Sequence, residues 1–362
     1  MLGLRHFGGV YRGRSVLLTG HTGFKGSWLS LWLTELGAHI TGIALSPETE
    51  LNHWDSLGLS IDDRRIDVRD LTELQRVFEA ANPEIVFHLA AQPLVRRSYR
   101  DPIDTWSTNV MGTANVLEAC RCQASVKAVV VITTDKCYEN QEWPWGYREN
   151  DRLGGHDPYS ASKAAAEHVA ASYRSSFFHL DSSPLLATAR AGNVIGGGDW
   201  SEDRLIPDLI RAIDKEQSLE IRAPQATRPW QHVLESLSGY LLLGQKLLSG
   251  EKSCAEAWNF GPEREGNRSV SEVLIKLKDH WETLRWHATD QPQPHEANLL
   301  YLDSAKARSK LDWQPVWNLD TTLEKTAEWY RAWLVDKAII SRRQLADYLE
   351  SAADAGIEWA KP

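Results

Sequence analysis

The chain has 362 residues, of which 42% are hydrophobic and 25% charged, with a mean hydropathy of −0.40; it can bury a large core, and a disordered or membrane-embedded class is excluded. A net charge of −9, a pI of about 5.8 and the lack of any basic block argue against nucleic acid or an anionic membrane surface as a partner. No apolar run approaches a membrane span, Met1 to Arg14 lacks the core of a signal peptide, and Cys120, Cys122, Cys137 and Cys254 have neither zinc nor disulfide spacing, so a reduced, cytoplasmic protein without a metal is expected.

Ser15 to Thr19 reads as a short apolar strand, followed by Gly20-His21-Thr22-Gly23-Phe24-Lys25-Gly26 and a helical stretch, Ser27 to Leu36, that Gly37 ends. Strand, glycine turn and helix come in the order a dinucleotide fold requires. Gly20, Gly23 and Gly26 permit a tight turn, close approach of backbone to a pyrophosphate, and packing of helix on strand; the helix N-terminus then faces the phosphates. His39 to Ala44 is the second strand. It runs out into Ala44-Leu45-Ser46 with no acid to hold an adenosine ribose, which leaves NAD over NADP open.

Asp67-Val68-Arg69-Asp70 either meets the adenine end of a cofactor or caps the helix Leu71 to Ala81. Ile85 to Leu89 is a fourth strand ending in Ala90-Ala91-Gln92, where small side chains let backbone approach a ligand. Thr105 to Cys122 is a helix carrying Asn109. Val129 to Ile132, four apolar and mostly β-branched residues, suits a strand covered on both faces. Thr133, Thr134, Asp135 and Lys136 follow at its carboxyl end, where open parallel sheets bind ligands.

Tyr159 and Lys163 lie four apart at and in the Ala-rich stretch Ser160 to Ala171 and share a helix face. An ammonium beside a phenol favours the phenolate, a general base suited to oxidising an alcohol. The bland alternative for each piece is a turn or a solvated surface pair. Leu185 to Ala189 is a further strand, so residues 13–190 form an α/β doubly wound parallel sheet of the Rossmann type, with another strand or helix returning from later in the chain.

After Arg190 comes the glycine-rich loop Gly192 to Trp200, then mixed helix and short strand over 191–335, a lobe that closes over the ligand. Arg204, Arg222, Arg228 and Arg268 suit a diphosphate, and Arg228-Pro229-Trp230-Gln231-His232 combines cation, aromatic and hydrogen-bonding groups. Trp143, Trp145, Trp200 and Trp230 serve either as ligand platforms or in packing. Residues 336–362 form a C-terminal helical tail of no assigned role.

The order Thr-Gly-x-x-Gly-x-x-Gly, His88-Leu89-Ala90-Ala91, Thr134-Asp135 and Tyr159-x-x-x-Lys163 resembles the extended short-chain dehydrogenase/reductase superfamily acting on nucleotide sugars. Gly20 to Trp28, Ala91 to Ser98, Thr134 to Asn140, Gly192 to Trp200 and Arg228 to Val233 are similar to its nucleotide-sugar 4,6-dehydratase branch, and the likeness runs from about Gly13 to Trp333. The resemblance implies a lyase that recycles NAD, takes CDP-glucose, and makes 4-keto-6-deoxyglucose for bacterial surface polysaccharide.

It implies cofactor contacts from Gly20, Gly23, Phe24, Lys25, Gly26, Asp67, Val68, Leu89, Ala90, Ala91, Asn109, Thr133, Tyr159 and Lys163. Substrate contacts would come from Gln92, Arg97, Asn193, Arg204, Leu205, Arg228, Trp230, His232 and His295. Tyr159 would take the 4-hydroxyl proton, Lys163 would assist it and hold a ribose, Thr134 would bond the C4 oxygen, and Asp135 would protonate the leaving 6-hydroxyl. Sister enzymes carry Glu where this chain has Lys136; as the C5 base, that lysine must first shed its proton, which desolvation and the Lys163 cation would promote. A nucleotide-sugar 4-epimerase would need Tyr159, Lys163 and NAD but no acid and base at 135 and 136, and a non-catalytic dinucleotide sensor would need neither Tyr159 nor Lys163. The resemblance also implies a homodimer or homotetramer paired through Thr105 to Cys122 and Tyr159 to Phe178.

Overall fold

In the computed structural model, which describes residues 5–289 and 299–361, seven parallel strands make one sheet. They are β1 (Ser15–Thr19), β2 (His39–Ala44), β3 (Asp62–Arg65), β4 (Ile85–His88), β5 (Ala128–Ile132), β6 (Leu185–Ala191) and a last strand from the later chain, Ala257–Phe260. The spatial order is Ala257–Phe260, β6, β5, β4, β1, β2, β3, with helices on both faces. It is the doubly wound sheet read from the sequence, and its order reverses between β1 and β4, where such folds open a crevice at the strands' carboxyl ends.

The period-two geometry of each strand divides the core. Leu17, Val86, Val129 and Val131 pack on one face with the helices Leu71–Ala81, Gly112–Cys122 and Pro158–Ser176. Val16, Leu18, Phe87, Val130 and Ile132 face the other way, onto Phe24–Glu35 and Val233–Leu248. β3 is different: its four residues, Asp-Asp-Arg-Arg, are all exposed. It closes the sheet edge with the ion pairs Asp62–Arg64 at 2.8 Å and Asp63–Arg65 at 2.7 Å, charges that blunt an otherwise open edge.

The helix expected at Thr105 to Cys122 begins at Pro102 and contains a π turn, Ser107–Met111, before continuing as Gly112–Cys122. Gly112 follows that turn because a Cβ there would lie 2.7 Å from the Val68 side chain. The second helix starts at Pro158, fixed by a capping box in which Asp157 accepts from the Ser160 amide and Ser160 accepts from that of Asp157. In the second lobe, helix Leu205–Asp214 sits with short strand pairs such as Thr227–Pro229 against Asn267–Ser269.

The C-terminal stretch is core rather than appendage. In helix Ser341–Asp354 the residues Leu345, Tyr348, Leu349 and Ala352 recur at helical spacing and are buried. Tyr348 donates to Glu235 at 2.8 Å, and Glu235 also accepts the Val316 and Trp317 amides at 2.9 and 2.7 Å. Trp359 stacks on Phe7, ring centres 4.9 Å apart, which joins the chain's two ends. Among the described residues, no helix is long and apolar enough to cross a membrane.

Glu167 lies four residues beyond Lys163 and eight beyond Tyr159, so all three share one helix face. Its buried carboxylate accepts Thr133 Oγ1 at 2.5 Å after β5, and Thr188 Oγ1 at 2.7 Å and Arg190 Nη2 at 2.8 Å on β6. Burial alone would raise its pKa, but the Arg190 charge and these donors outweigh that and hold it below the usual range. A depressed carboxylate pKa adds stability that is present above the unfolded value, about 4.3, and is lost as pH falls through the folded one. Glu167→Ala leaves Arg190 buried without its partner, and urea unfolding at neutral pH should show a loss of about 3–5 kcal/mol that shrinks on acidification.

Candidate active site

At the carboxyl ends of β1, β4 and β5, roofed by the second lobe, lies a cleft of about 1230 Å³. Its floor is the glycine turn. Gly20 has φ +76°, and a Cβ there would stand 2.7 Å from the Ala90 amide nitrogen; one on Gly26 would stand 2.0 Å from the Gly20 carbonyl. Only glycine permits that approach of the turn to β4 and to the helix. Helix Phe24–Glu35 then starts at Gly23 without a side-chain cap, so first-turn N–H groups at the cleft wall are left for an anion.

Leu89, Ala90 and Ala91 form the opposite side, the first two held by amide bonds to Thr19 Oγ1 at 3.1 Å each. Asp67 and Val68 line the far end, with Asp67 paired to Arg69 at 2.6 Å. The cap of the following helix is Asp70, not Asp67. This cradle, which side chains on Gly20 and Gly26 would fill, fits a dinucleotide.

Thr133, Thr134, Asp135 and Lys136 enter the cleft where β5 ends, across from Tyr159 and Lys163. Thr134 donates to Asp135 Oδ1 at 2.9 Å. Asp135 Oδ2 is buried with no hydrogen-bond partner among the described residues, an acceptor that suits a ligand hydroxyl. Burial pushes the Tyr159 phenol up to about 12, while the Thr134 hydroxyl and the Arg204 cation oppose the rise. Lys163 lines the same cleft as Tyr159; its ammonium donates to the Ile132 carbonyl at 3.2 Å, and burial brings its pKa to about 8. Arg204, whose charge favours the phenolate, is paired with Asp199 at 2.9 Å.

Lys25 contributes more than backbone. Its Nζ donates to the Tyr240 hydroxyl at 3.2 Å, and burial, then Arg204 and Lys163, bring its pKa to about 7. Cys137 is buried beside Tyr138 and Tyr147, and burial pushes its thiol up, so it is packing rather than a nucleophile.

Of the expected substrate contacts, Arg97, Asn193, Arg204, Leu205, Arg228 and Trp230 line the cleft. Three expected contacts do not, and each is hydrogen-bonded to the scaffold, His232 through one ring nitrogen only. Gln92 bonds Leu94 and Thr105; Asn109 bonds both backbone groups of Gln92 at 2.8 and 3.1 Å and Ser162 Oγ at 2.8 Å; His232 caps helix Val233–Leu248 through Nδ1. Arg268 is outside the lining and bonds the Asn267 carbonyl, whereas Arg222 is inside, held by Asp203 at 2.5 Å. His295 lies outside the described residues. Trp200 packs on Trp333 and lines the cleft, Trp143 lies tilted against Trp145 and Tyr147, and Trp230 is a buried part of the cleft wall.

Glu167 escaped the sequence reading, although its spacing from Lys163 was a signal. Glu48 escaped it too: it reaches the cleft four residues past β2 and pairs with Arg97 at 2.5 Å. Among the described residues no cluster of His, Cys, Asp and Glu could hold a metal.

The sequence model of the GDP-mannose 4,6-dehydratase family matches residues 17–326. The chain is 47% identical over 350 residues to the CDP-glucose 4,6-dehydratase of Salmonella typhimurium strain LT2, covering 94% of this chain and 98% of that one. Among solved structures, MoeE5 in complex with UDP-glucuronic acid and NAD is 27% identical, with a TM-score of 0.73 over 88% of this chain and 99% of that one. A UDP-glucuronic acid 4-epimerase from Bacillus cereus, solved with UDP-glucuronic acid and NAD, shares the fold at a TM-score of 0.75 and 22% identity, over 87% of this chain and 98% of that one. By its sequence and by its parallel sheet, the chain belongs to the GDP-mannose 4,6-dehydratase family, within the extended short-chain dehydrogenases/reductases.

Proposed function

We infer that the protein is a CDP-glucose 4,6-dehydratase, a lyase that converts CDP-D-glucose to CDP-4-keto-6-deoxy-D-glucose and water. The carrying observation is the 47% identity over nearly the whole chain to an enzyme of that name, in a molecule whose Thr134, Asp135, Lys136, Tyr159 and Lys163 line one cleft. NAD, when bound, accepts the C4 hydrogen with its electron pair and returns it at C6, so it is unchanged overall.

The rest of the chemistry falls to the chain's own residues. Tyr159, as its phenolate, takes the proton of the 4-hydroxyl; burial opposes that ionisation, and the Thr134 hydroxyl and the Arg204 cation favour it. Lys163 holds a ribose from its place at the Ile132 carbonyl. The ketone formed at C4 acidifies the C5 proton, which Lys136 removes, while Asp135 protonates the 6-hydroxyl so that it leaves as water. Lys136 restores the C5 proton as hydrogen arrives at C6.

In this reading lobe 13–190 holds the cofactor, and lobe 191–335 holds the sugar nucleotide through Asn193, Arg204, Leu205, Arg228 and Trp230, with Arg97 reaching across from the first. Gln92, Asn109 and His232 serve by fixing the walls. The exposed Ile103, Trp106 and Met111 on the first long helix support pairing of two copies there, as a homodimer or as half of a homotetramer. A cytoplasmic place in making deoxy sugars for lipopolysaccharide O-antigen is part of the same reading.

Mass spectrometry of protein incubated with CDP-, UDP-, dTDP- and GDP-glucose, with and without added NAD, checks it. The expected result is loss of one water from the CDP sugar; an isomer of unchanged mass would indicate a 4-epimerase, and no change with any sugar would reduce the reading to dinucleotide binding. For the base, Lys136→Ala should slow solvent-deuterium entry at C5 by roughly 10²–10⁴-fold. Exchange at the wild-type rate, followed by NMR, would place that base on another residue.

A further inference from the structure

We propose that His53 is a positioning residue, one that sets the grip on the glycine loop before Arg204 and so holds that arginine in the cleft. The inference rests on the dehydratase reading for the reaction that Arg204 serves. It also gives a task to chain beyond residue 326, where the family match ends.

Gly197 to Asp199 is held from two sides. Trp28, on helix Phe24–Glu35, donates its indole N–H to the Gly197 carbonyl at 2.9 Å. Tyr330, on helix Leu319–Asp336, donates to the Asp199 carbonyl at 2.6 Å. Between these bonds the backbone packs directly on rings. A Cβ on Gly197 would stand 1.9 Å from the Trp329 ring, and one on Gly198, at φ +85°, 2.5 Å from the His53 ring, so only glycine fits. The Asp199 side chain then holds Arg204 at 2.9 Å, and Arg204 lines the cleft, where its charge favours the Tyr159 phenolate.

The chain neighbours of those two holding residues, Ser27 and Trp329, are joined by a line of hydrogen bonds that runs through His53. The Ser27 hydroxyl gives its single hydrogen to the Phe24 carbonyl at 2.9 Å, so His53 Nδ1, 2.8 Å from the Ser27 oxygen, is the donor. Nε2 of the neutral ring is then an acceptor, and takes the Ser341 hydroxyl at 2.7 Å. Ser341 Oγ in turn accepts the Trp329 indole N–H at 2.8 Å. Burial lowers the His53 pKa to about 3, which keeps the ring neutral as this pattern requires.

His53 lines the cleft, yet both its nitrogens are taken by the scaffold, so it acts through other groups. Ser27, His53, Trp329 and Ser341 are all buried, and a lost link leaves a polar atom unsatisfied rather than hydrated. Directional bonds therefore set the span between Trp28 and Tyr330, and a break at any link loosens the same loop. Ser341 opens helix Ser341–Asp354, so the C-terminal helix enters the geometry of the site by this route.

Steady-state kinetics with CDP-glucose and saturating NAD test this. His53→Gln and Ser341→Ala disturb the line at different links, and each should lower kcat/KM roughly tenfold, with the double variant no worse than either. In an Arg204→Gln background neither should cost more than about twofold, because the group they position is already gone. Ser27→Ala breaks the line at its other end and serves where a variant at 341 does not fold. Wild-type kcat/KM with a link broken would overturn the proposal and leave the dehydratase reading intact. So would the same roughly tenfold loss in the Arg204→Gln background, which is what a general loosening of the fold produces. Absence of turnover by the wild-type protein would overturn the reading and the proposal together.

Discussion

One buried carboxylate decides where Tyr159 and Lys163 stand against the sheet. Glu167 takes Thr133 from the end of β5, Thr188 and Arg190 from β6, and belongs to the helix that carries Tyr159 and Lys163. Besides the bonds that Lys163 and Arg174 donate to the Ile132 and Leu186 carbonyls, the sheet and that helix are joined by apolar contacts, which are non-directional and tolerate sliding. An ion pair with Arg190 and two hydroxyl donors does not. Because the partners sit on two adjacent strands, the helix is fixed in translation along the strands as well as in distance from them. Tyr159, two turns from Glu167, inherits that position relative to Thr134 and Asp135.

The cleft's other wall depends on a close approach of backbone. Thr19, the last residue of β1, accepts the Leu89 and Ala90 amides, and Gly20, next in sequence, fits against Ala90 only because it lacks a Cβ. The turn therefore sits as low as sterics permit, and the space between it and the end of β5 is left open. Asn109 extends the same logic. Its three hydrogen bonds tie Gln92, past β4, to Ser162, which lies between Tyr159 and Lys163 on the helix. The π turn around Asn109 sets it at that junction.

What was legible in the sequence follows the physics of each element. β1, β4 and β5 are apolar runs because both faces are buried, and the glycines at 20, 23 and 26 announce the turn since no other residue fits. The Tyr159 helix is alanine-rich with its polar residues four apart. β3 was legible only as an unbounded third segment before Asp67: Asp62 to Arg65 hold it by backbone bonds to β2 and by cross-charges, with no apolar face to mark its ends. The C-terminal helix carried a readable apolar stripe, but its partners, Trp32 and Trp317, are remote in sequence. Gln92, Asn109 and His232 have polar side chains near motif positions, and nothing local distinguishes a group facing a ligand from one bonded to the scaffold. The direction taken by Lys163 was hidden for the same reason, since spacing fixes a shared helix face and not the acceptor an ammonium chooses.

The charges around Asp135 give the lysine at 136 a context. Lys25, Lys163 and Arg204 all stand near this carboxylate's end of the cleft, and burial of the two lysines lowers their pKa values, so each ammonium is held at a cost. Such a cost is offset where negative charge develops during reaction. In the inferred dehydration that charge appears on the C4 oxygen, first as the hydroxyl proton leaves and again in the enolate formed at C5. A carboxylate base would bring its own negative charge close to the enolate and lose it on taking the proton. A neutral lysine base becomes a cation at the moment the enolate forms, so the two charges arise together and attract. Proton transfer to Lys136 in a site already rich in cations is the opposing term, and Asp135 is the acid-forming neighbour whose charge moderates it. The lysine at 136 therefore stands in a site whose Lys25 and Arg204 favour anionic oxygen.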